Sequence, residues 1–392
     1  GIPAFRLPDG PLQRDLDRVT KLGVEVRCGT RLDKGGLAGL RADFDAVVVC
    51  IGFGASTALT VPGDRLEGIE QGLDFLDRVK RGGVSVTGRV VVVGGGNTAI
   101  DCVRSALRCG AESVRLVYRR GREDMPAIDE EIDAAELEGV RLMLYRQPVA
   151  FTGEARVSGM VAAEVEAGPP DASGRRRPVV TGRTTAVTCD RVLLALGQGN
   201  ELGLLPEGWV KRGDRAWEGD GELPVWFAGD CGTSDGTVTH AIGNGRRVAL
   251  LALAALDEAA EGNGAVESEG RPGDPPPPAA LDPVAPGQIR FSHFGVAPPH
   301  GDRQRPLSAC IGSFEEVNLG LAGPEEADRC FSCGHCTRCD TCLVYCPDGV
   351  ITRSGEGYAI DENYCKGCGM CVAECPRSAM EMHEKHLPGA RP

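Results

Sequence analysis

A cysteine motif that occurs twice near the C-terminal end constrains this chain most strongly. Ten of the 17 cysteines lie between positions 330 and 392, and eight of them repeat the spacing C-x2-C-x2-C-x3-C-P. The first copy consists of Cys336, Cys339, Cys342 and Cys346, and the second consists of Cys365, Cys368, Cys371 and Cys375. This spacing is typical of a module with two [4Fe–4S] clusters, in which the fourth cysteine of each run binds the other cluster. We therefore expect Cys375 to complete the first cluster and Cys346 to complete the second.

Zinc and disulfide bonds are the alternatives for so many cysteines. Paired C-x2-C elements also form zinc ribbons, but a zinc site gives no reason for three-residue steps that close twice on Cys-Pro. A disulfide framework is typical of much shorter chains. Two adjacent clusters transfer single electrons, so the motif predicts electron transfer. Cys330 and Cys333 continue the three-residue rhythm outside both copies, and three roles stay open for them: they are spare, they cap the module, or they compete for the first cluster.

The overall composition excludes several classes of partner. The 392 residues carry a net charge of −13 and show no basic stripe, which argues against nucleic acid as a partner. No run of 18 apolar residues is present, so we expect no transmembrane segment. The length suits two or three domains with their own cores. Reduced cysteines and oxygen-sensitive clusters favour a cytoplasmic protein.

A dinucleotide-binding pattern occupies residues 90–120. A valine-rich strand precedes Gly94-x-Gly96-x-x-Ala99, a helical pattern follows, and a second strand ends at Arg119 and Arg120. The two glycines permit a tight turn and a close approach of a pyrophosphate to the helix N-terminus. The two arginines stand where NAD-binding units place an acidic residue, so NADPH is favoured over NADH. The alternative is an exposed basic strand end.

A second candidate site follows another apolar strand. Gly229 and Asp230 directly follow the apolar strand at residues 225–228, and a helical pattern begins at about Thr237. An aspartate at such a strand end suits a ribityl or ribose hydroxyl, and the helix N-terminus suits the pyrimidine edge of a flavin. A plain strand–helix turn with an aspartate cap explains the pattern equally well. Two further apolar strands, residues 45–51 and 191–196, end at Gly52 and Gly197.

The chain resembles the glutamate synthase small-subunit family of FAD- and NAD(P)-dependent oxidoreductases. The resemblance runs from residue 1 to about 255, and the matching stretches are GIPAFRLPDGPLQRDLDRVTKLGVEVR, DAVVVCIG, VPGDRLEGI, VVVVGGGNTAIDC, VYRRGREDMPA, RVLLALGQ and VWFAGDCGTSDGTVTHAIGNGRR. The cysteine-rich end, with its lead-in EEADRCFSCGHC, resembles members with a C-terminal two-cluster ferredoxin domain. The resemblance implies an α/β fold of nested FAD- and NAD(P)-binding Rossmann-like domains, followed by an α+β bacterial ferredoxin-like domain.

The resemblance also implies residue roles. The pyridine-nucleotide loop corresponds to Gly94, Gly96, Asn97 and Thr98, and the adenosine phosphate site to Arg119 and Arg120. The flavin turn corresponds to Gly229 and Asp230, the flavin-facing helix begins at Thr237, and Gly52 and Gly197 are strand-end glycines near the two cofactors. No catalytic acid or nucleophile is implied.

The resemblance sets the expected domain limits as well. Residues 1–86 and 186–260 form an FAD-binding domain, residues 87–185 an NAD(P)-binding domain, 261–300 a Pro/Gly-rich linker, and 301–392 the ferredoxin-like domain with a short helix near Phe314 to Arg329. The family's N-terminal FAD fingerprint is absent from this sequence, so the FAD domain is expected to be incomplete. In the family's namesake the clusters precede the flavin domain, so this chain is not expected to be the glutamate synthase subunit itself.

The expected function is an electron relay from NAD(P)H through FAD to the two clusters and on to ferredoxin or a partner redox enzyme, within a larger complex. A thioredoxin-reductase-like activity would need a C-x-x-C pair, and residues 85–190 contain only Cys102, Cys109 and Cys189. The remaining alternative is a truncated, non-catalytic docking module without its own FAD. We interpret the cysteines outside the terminal module as buried apolar side chains, namely Cys28, Cys50, Cys102, Cys109, Cys189, Cys231 and Cys310.

Overall fold

The computed structural model describes residues 1–170, 176–219, 221–233, 236–262, 284–355 and 357–383. The chain divides into two compact units: Gly1–Val266 with Gln304–Leu319, called unit 1, and Glu267–Arg303 with Gly320–Pro392, called unit 2. Most of the predicted linker 261–300 lies outside the described residues, from 263 to 283. Within its described part, short 3-10 turns form at Pro286–Gln288 and Phe291–His293.

The helices of unit 1 are α1 Asp9–Thr20, α2 Lys34–Asp43, α3 Gly72–Arg81, α4 Asn97–Arg108, α5 Asp129–Leu137, α6 Asp230–Thr233, α7 Val238–Gly262 and α8 Leu307–Cys310. Its strands are β1 Val47–Val49, β2 Ala55–Ser56, β3 Ile69–Gln71, β4 Arg89–Val93, β5 Ser113–Val117, β6 Arg141–Met143, β7 Arg146–Gly153, β8 Val157–Pro170, β9 Arg176–Thr188, β10 Arg191–Leu194, β11 Gln198–Gly199, β12 Trp209–Arg212, β13 Arg215–Glu218 and β14 Gly221–Phe227. Unit 2 contains α9 Thr341–Tyr345, β15 Ile351–Ser354, β16 Gly357–Ile360 and α10 Met370–Glu374.

A five-stranded parallel sheet forms the nucleotide-binding part of unit 1, in the order β3-β10-β4-β5-β6. Parallel sheets are covered on both faces, which explains the unbroken valine run of β4. Val90 and Val92 pack with Ile100 of α4 on one face. Val91 and Val93 pack on the other face against the antiparallel sheet β7-β8-β9. Because β3 and β10 join this sheet, it extends beyond the predicted limits 87–185 at both ends.

A second sheet has the order β1-β14-β13-β12, with β1 and β14 parallel. Val49 lies opposite Phe227, so the carboxyl ends of these two strands meet at one edge. Phe227 packs with Leu37 of α2 on one face of the sheet. Trp226 packs with Val248 of α7 on the other face. Successive side chains of β14 therefore point to opposite faces of the sheet, and one helix packs on each face.

The segment Gln304–Leu319 packs within unit 1 against the start of the chain. Phe5 is 1% exposed, and its ring lies beneath the guanidinium groups of Arg104 and Arg108, at 4.8 and 4.0 Å from the ring centroid. The ring of Phe314 lies 6.0 Å from that of Phe5, and the backbone N–H of Val317 donates to the carbonyl of Phe5 at 3.0 Å. An aromatic contact and a backbone hydrogen bond therefore hold this segment against Phe5, which the two arginines fix in place.

The predicted helix from Phe314 to Arg329 is wrong. Helix α8 lies earlier, and the only helical turn in that range is a 3-10 turn at Pro324–Arg329. Gly320 adopts a left-handed conformation with φ 71°, and Gly323 and Pro324 follow. These three residues interrupt an α-helix, because glycine favours other conformations and proline lacks the N–H that the helix interior needs.

Unit 2 is built around short elements that follow the cysteines. β15 and β16 form an antiparallel hairpin with Ile351 opposite Ile360. α9 and α10 are five residues each and begin after Asp340 and Gly369, which adopt left-handed conformations with φ 63° and 76°. Left-handed turns of this kind allow the chain to coil tightly around a ligand. No helix in the described part of either unit is both long and apolar enough to cross a bilayer.

The interpretation of the seven other cysteines as buried is wrong for two of them. Cys102, Cys189, Cys231 and Cys310 are buried and Cys109 is half-buried, whereas Cys28 and Cys50 are exposed. Cys50 directly follows β1, which pairs only with β14 among the described residues and therefore lies at the edge of its sheet. Side chains alternate between the two faces of a sheet, and Cys50 continues the exposed face of Val48 rather than the buried face of Val49.

Candidate cofactor sites

A cavity of about 480 Å³ opens at the carboxyl end of the five-stranded sheet. The loop from Gly94 to Gly96 forms one wall, between β4 and α4. Gly94 has φ 150°, and a Cβ at this position would overlap the carbonyl of Ala195. A Cβ at Gly95 would lie 2.5 Å from the ring of Tyr118. Glycine is therefore required for both close packing and backbone exposure, and the loop presents N–H groups at the N-terminus of α4 as a pyrophosphate requires.

The predicted loop residues take different positions. Gly94, Gly96 and Thr98 line the cavity, and the amide of Gln198 lies 3.5 Å from the hydroxyl of Thr98. Asn97 does not line it, because its side-chain oxygen accepts the backbone N–H of Ile128 at 3.1 Å. Asn97 therefore holds the loop after β5 against the start of α4. Its predicted role in direct contact with the nucleotide has no support from this geometry.

The two arginines that are predicted to bind the phosphate both line the cavity, but they differ in how exposed their side chains are. Arg119 is exposed. Arg120 is 8% exposed, and its Nε donates to the backbone oxygen of Arg176 on β9 at 2.8 Å. The nearby Arg122 is directed towards α5, where it pairs with Glu136 at 2.7 Å and with Asp133. Arg119 is consequently the arginine of this strand end whose charge is available to a ligand at the cavity mouth.

The strand-end glycines separate between the two sheets. Gly197 follows β10, lines the cavity, and accepts the backbone N–H of Thr57 at 3.0 Å. Gly52 follows β1 with φ 64° and belongs to the other sheet. Gly229 follows β14 with φ 71°, so Gly52 and Gly229 lie at the same edge because β1 and β14 are parallel. The structure thus assigns one glycine to the nucleotide cavity and two to the predicted flavin edge.

The turn after β14 is held by hydrogen bonds between residues close in sequence. The carboxylate of Asp230 accepts the backbone N–H of Gly236 at 3.2 Å. The hydroxyl of Thr237 accepts the backbone N–H of His240 at 3.3 Å and so caps the start of α7. The same hydroxyl lies 2.7 Å from the Nδ1 of His240. An aspartate and a helix N-terminus therefore meet at the carboxyl edge of this sheet. This is the arrangement that suits flavin hydroxyls and an electron-rich ring edge.

Asn244 is a site residue that sequence reasoning missed. It is 7% exposed on α7, and its side-chain oxygen accepts the backbone N–H of Gly229 at 2.8 Å. Its position four residues before Val248 and eight before Ala252, which are both buried on the same helix, is the only signal in the sequence. Its partner lies 15 residues away and becomes apparent only in the fold.

Four cysteines of unit 2 line a cavity of about 210 Å³: Cys336, Cys339, Cys342 and Cys375. This is the set that the motif predicts for the first cluster, with the fourth ligand taken from the second copy. The chain supplies the sulfur atoms with hydrogen bonds. Ala379 N–H donates to the Cys375 Sγ at 3.3 Å, and the hydroxyl of Thr341 lies 3.3 Å from the Cys339 Sγ.

The donor set fits an iron–sulfur cluster. Burial raises the pKa of the Cys339 thiol, but hydrogen bonds from Thr341 and the charge of Arg377 outweigh it, and the net pKa is lowered. Thiolates are the cluster ligands, so the surroundings of Cys339 favour its required form, whereas burial raises the pKa of the Cys342 thiol in the same cavity. Among the described residues, no three His, Cys, Asp or Glu side chains converge on a site for a single metal ion. The cysteines instead surround a space for a larger group.

The second quartet is brought together in part. Cys371 lies close enough to Cys365 and Cys368 that their charges raise its pKa, after the larger effect of burial. Cys346 lies at the C-terminal end of α9, and backbone N–H groups, that of Val350 foremost, lower its pKa. Its assignment to the second cluster stays a prediction. Cys330 and Cys333 are exposed and do not line the first cavity.

Comparison with known proteins identifies the class. Residues 19–245 match the family model for pyridine nucleotide-disulphide oxidoreductases, and residues 335–380 match that for 4Fe-4S dicluster domains. The first match covers more than half of the chain, so this protein belongs to the pyridine nucleotide-disulphide oxidoreductase family. The second match confirms the prediction of two [4Fe–4S] clusters in the terminal cysteine module.

Curated relatives add detail. The chain is 35% identical to the NADP(+)-dependent formate dehydrogenase subunit beta of Moorella thermoacetica over 85% of its own length and 48% of that protein. It is 43% identical to the NADPH-Fe(3+) oxidoreductase subunit beta of Geobacter sulfurreducens over 53% and 32%. It is 37% identical to the glutamate synthase [NADPH] small chain of Halomonas elongata over 50% and 44%. The chain therefore spans half or less of the length of these relatives, and the last match confirms the predicted resemblance.

A solved structure supports the fold. FprA of Mycobacterium tuberculosis, in complex with NADPH, matches with a TM-score of 0.54 at 18% identity, over 65% of this chain and 75% of that chain. At this identity the likeness concerns the fold alone. Together with the family match, it confirms the predicted fold class and the class of oxidoreductase.

Proposed function

We propose that this chain relays electrons from NADPH, through FAD, to two [4Fe–4S] clusters and on to ferredoxin or a partner redox enzyme. The observation that carries the proposal is the presence in one chain of a glycine-walled nucleotide cavity and a cavity closed by four cysteines. The first suits a two-electron donor and the second a one-electron carrier. The relatives named as beta subunits and small chains of NADP-linked enzymes support this reading.

Each step assigns work to particular residues. Gly95 and Gly96 present backbone N–H groups to the pyrophosphate, since the N–H of Gly94 is donated to Val117, and Arg119 presents a guanidinium to the 2′-phosphate at the cavity mouth. NADPH is therefore preferred over NADH. Asp230 and the start of α7 at Thr237 hold the flavin hydroxyls and ring edge. When bound, the flavin supplies the conversion of one hydride into two single electrons.

The site needs no side-chain acid or nucleophile for this chemistry. The chain binds and orients the nucleotide, and its cysteines with their hydrogen-bond donors hold the clusters. The acceptor is a ferredoxin or a redox subunit of a larger complex, because the relatives are named as subunits. The reduced cysteines favour the cytoplasm as its place of action.

The experiment is anaerobic reconstitution of the complete chain with FAD, iron and sulfide. Bound FAD per chain and absorbance in the flavin and cluster bands are followed after NADPH or NADH is added. The relay requires both bands to bleach with NADPH, and more slowly with NADH. Assembled clusters without bound FAD, or a flavin that bleaches while the clusters stay oxidised, would instead support a non-catalytic docking module.

A further inference from the structure

Arg377 places a positive charge at the wall of the first cluster cavity. It directly follows Cys375 and Pro376 and lines the cavity formed by the four cysteines. The guanidinium lies over the ring of Phe294, 4.9 Å from its centroid. The backbone carbonyl of Arg377 accepts the N–H of Gly334 at 2.7 Å. Side chain and backbone are therefore both held in place within unit 2.

Within the described part of unit 2, no carboxylate neutralises the charge of Arg377. No acidic side chain in the described part of the chain pairs with it, and its Nε is buried without a hydrogen-bond partner there. The cavity is lined by the four cysteines, Arg377 and otherwise by apolar or uncharged residues. His335 and Tyr358 are the two of these that carry an ionisable side chain. The nearby cation of Arg353 differs, because it pairs with Asp340.

The duplicated motif provides an internal comparison. The residue that follows Cys-Pro is Arg377 in the second copy and Asp348 in the first, so equivalent positions carry opposite charges. Asp348 follows Cys346, which is predicted to complete the second cluster, and its carboxylate pairs with Lys366 at 2.7 Å. The second cluster therefore has an ion pair at this position, whereas the first has a cation with no acidic partner among the described residues.

We propose that Arg377 sets the reduction potential of the first cluster and makes it the more easily reduced of the two. This inference rests on the proposed relay, in which reduced flavin supplies the electron. Uptake of one electron adds one negative charge to a cluster, and a nearby unpaired cation stabilises that form. Inside a partly buried site the stabilisation is weakly screened by salt. A single electron then resides on the first cluster rather than the second.

The test is a redox titration of the reconstituted complete chain, followed by electron paramagnetic resonance of the reduced clusters with dithionite as reductant. Arg377→Gln and Arg377→Met remove the charge, and the methionine keeps an apolar stem against Phe294. We expect either to lower the ratio of reduced to oxidised first cluster at a fixed potential by about tenfold, equivalent to about 59 mV for one electron. Arg377→Lys keeps the positive charge and should keep most of the wild-type reduction potential of the first cluster. Asp348→Asn is the matched control at the equivalent position of the other motif copy, and it should leave the potential of the first cluster unchanged.

Iron content separates this inference from the proposed function. About eight iron atoms per chain show that both clusters are assembled. Wild-type protein that does not assemble both clusters would contradict the relay. Assembled clusters whose potentials do not move in the neutral variants would contradict only the role of Arg377. Loss of the first cluster in both neutral variants, with retention in the lysine variant, would also overturn it, because Arg377 would then act in assembly.

Discussion

The side-chain oxygen of Asn244 accepts the backbone N–H of Gly229 at 2.8 Å and so ties helix α7 to the turn that follows β14. Asn244 is almost fully buried. The turn continues into Asp230, and α7 starts just beyond Thr237. The two elements predicted to hold the flavin thus fix each other before any ligand binds, which lowers the entropic cost of binding.

Replacement of Asn244 should weaken both the fold and the flavin site. Asn244→Leu has a similar volume but leaves the N–H of Gly229 without a partner, which costs about 1–3 kcal/mol in the free energy of unfolding. The three tryptophans, Trp209, Trp217 and Trp226, lie on β12, β13 and β14. Tryptophan fluorescence during denaturation therefore reports on this sheet.

The matched control is Asn363→Leu, an exposed position in unit 2. It should change the unfolding free energy by no more than about 0.5 kcal/mol and leave the FAD content unchanged. The Asn244 variant should bind less FAD per chain than the wild type. Equal FAD occupancy in the two variants would show that the bond between Asn244 and Gly229 does not support the flavin site.

Arg119 should determine the preference for NADPH. Its guanidinium has no partner among the described residues and lies at the cavity mouth, whereas Arg122 is paired with Glu136. Arg119→Gln should weaken NADPH binding by about 1.5–3 kcal/mol, the usual value of a hydrogen bond to a charged group, or roughly 10- to 150-fold. Binding of NADH should hardly change, because NADH lacks the 2′-phosphate.

The measurement is the ratio of the dissociation constants for NADPH and NADH. Arg122→Gln is the matched control, three residues further along the same loop, and should keep the wild-type ratio. An unchanged ratio in Arg119→Gln would contradict the predicted role of Arg119 and would favour the alternative, in which the strand end is simply an exposed basic segment.

Local patterns predicted the positions of strand ends well, and long-range contacts explain what they did not predict. The valine run and the glycines that follow it identify β4 and its loop, because both depend on neighbouring residues alone. The difference between Arg119 and Arg120 depends on Arg176, which lies 56 residues further along the chain. No local pattern contains that contact.

The same reason applies to Cys50 and to the segment before the cysteine module. Cys50 follows an apolar strand, and the exposure of its side chain depends on which face of the sheet is covered at that position. The packing of Phe314 against Phe5 joins residues more than 300 positions apart. Sequence predicts such a pair as apolar, but it cannot assign the partner.

Asp190 lies at the base of the nucleotide-binding sheet and has a lowered pKa. It should therefore make the free energy of unfolding depend on pH. Asp190 accepts two hydrogen bonds from the Arg89 guanidinium and one from its backbone N–H, each at 2.8 Å. Hydrogen bonds from the Arg89 side chain, followed by that from its N–H, lower the pKa of Asp190 to about 2. The unfolded value is about 3.9.

The sign follows from linkage. A folded pKa below the unfolded one contributes stability above pH ~4, and this is lost as pH falls towards ~2. The difference in unfolding free energy between wild type and Asp190→Asn should therefore shrink over that interval. Solvent screens the pair, since both side chains are 41% exposed, so the effect is small. The same comparison in an Arg89→Gln background should lose most of its pH dependence, and an equal dependence there would contradict the assignment.

Exchange of the fourth cysteine between the two motif copies can be tested by pairs of substitutions. Cys375 lines the cavity together with Cys339, although 36 residues separate them in the chain. Cys339→Ser combined with Cys375→Ser should therefore disable one cluster only and leave about four iron atoms per chain. Cys339→Ser combined with Cys346→Ser should disable both clusters, because Cys346 is predicted to bind the second.

Simple pairing within each motif copy predicts the reverse outcome for the two double variants, so the iron content decides between them. Cys333→Ser is the matched control, since Cys333 is exposed and does not line the cavity. It should retain about eight iron atoms per chain, as two clusters require. Loss of iron in this control would mean that Cys333 competes for the first cluster, and the eight-cysteine assignment would then be wrong.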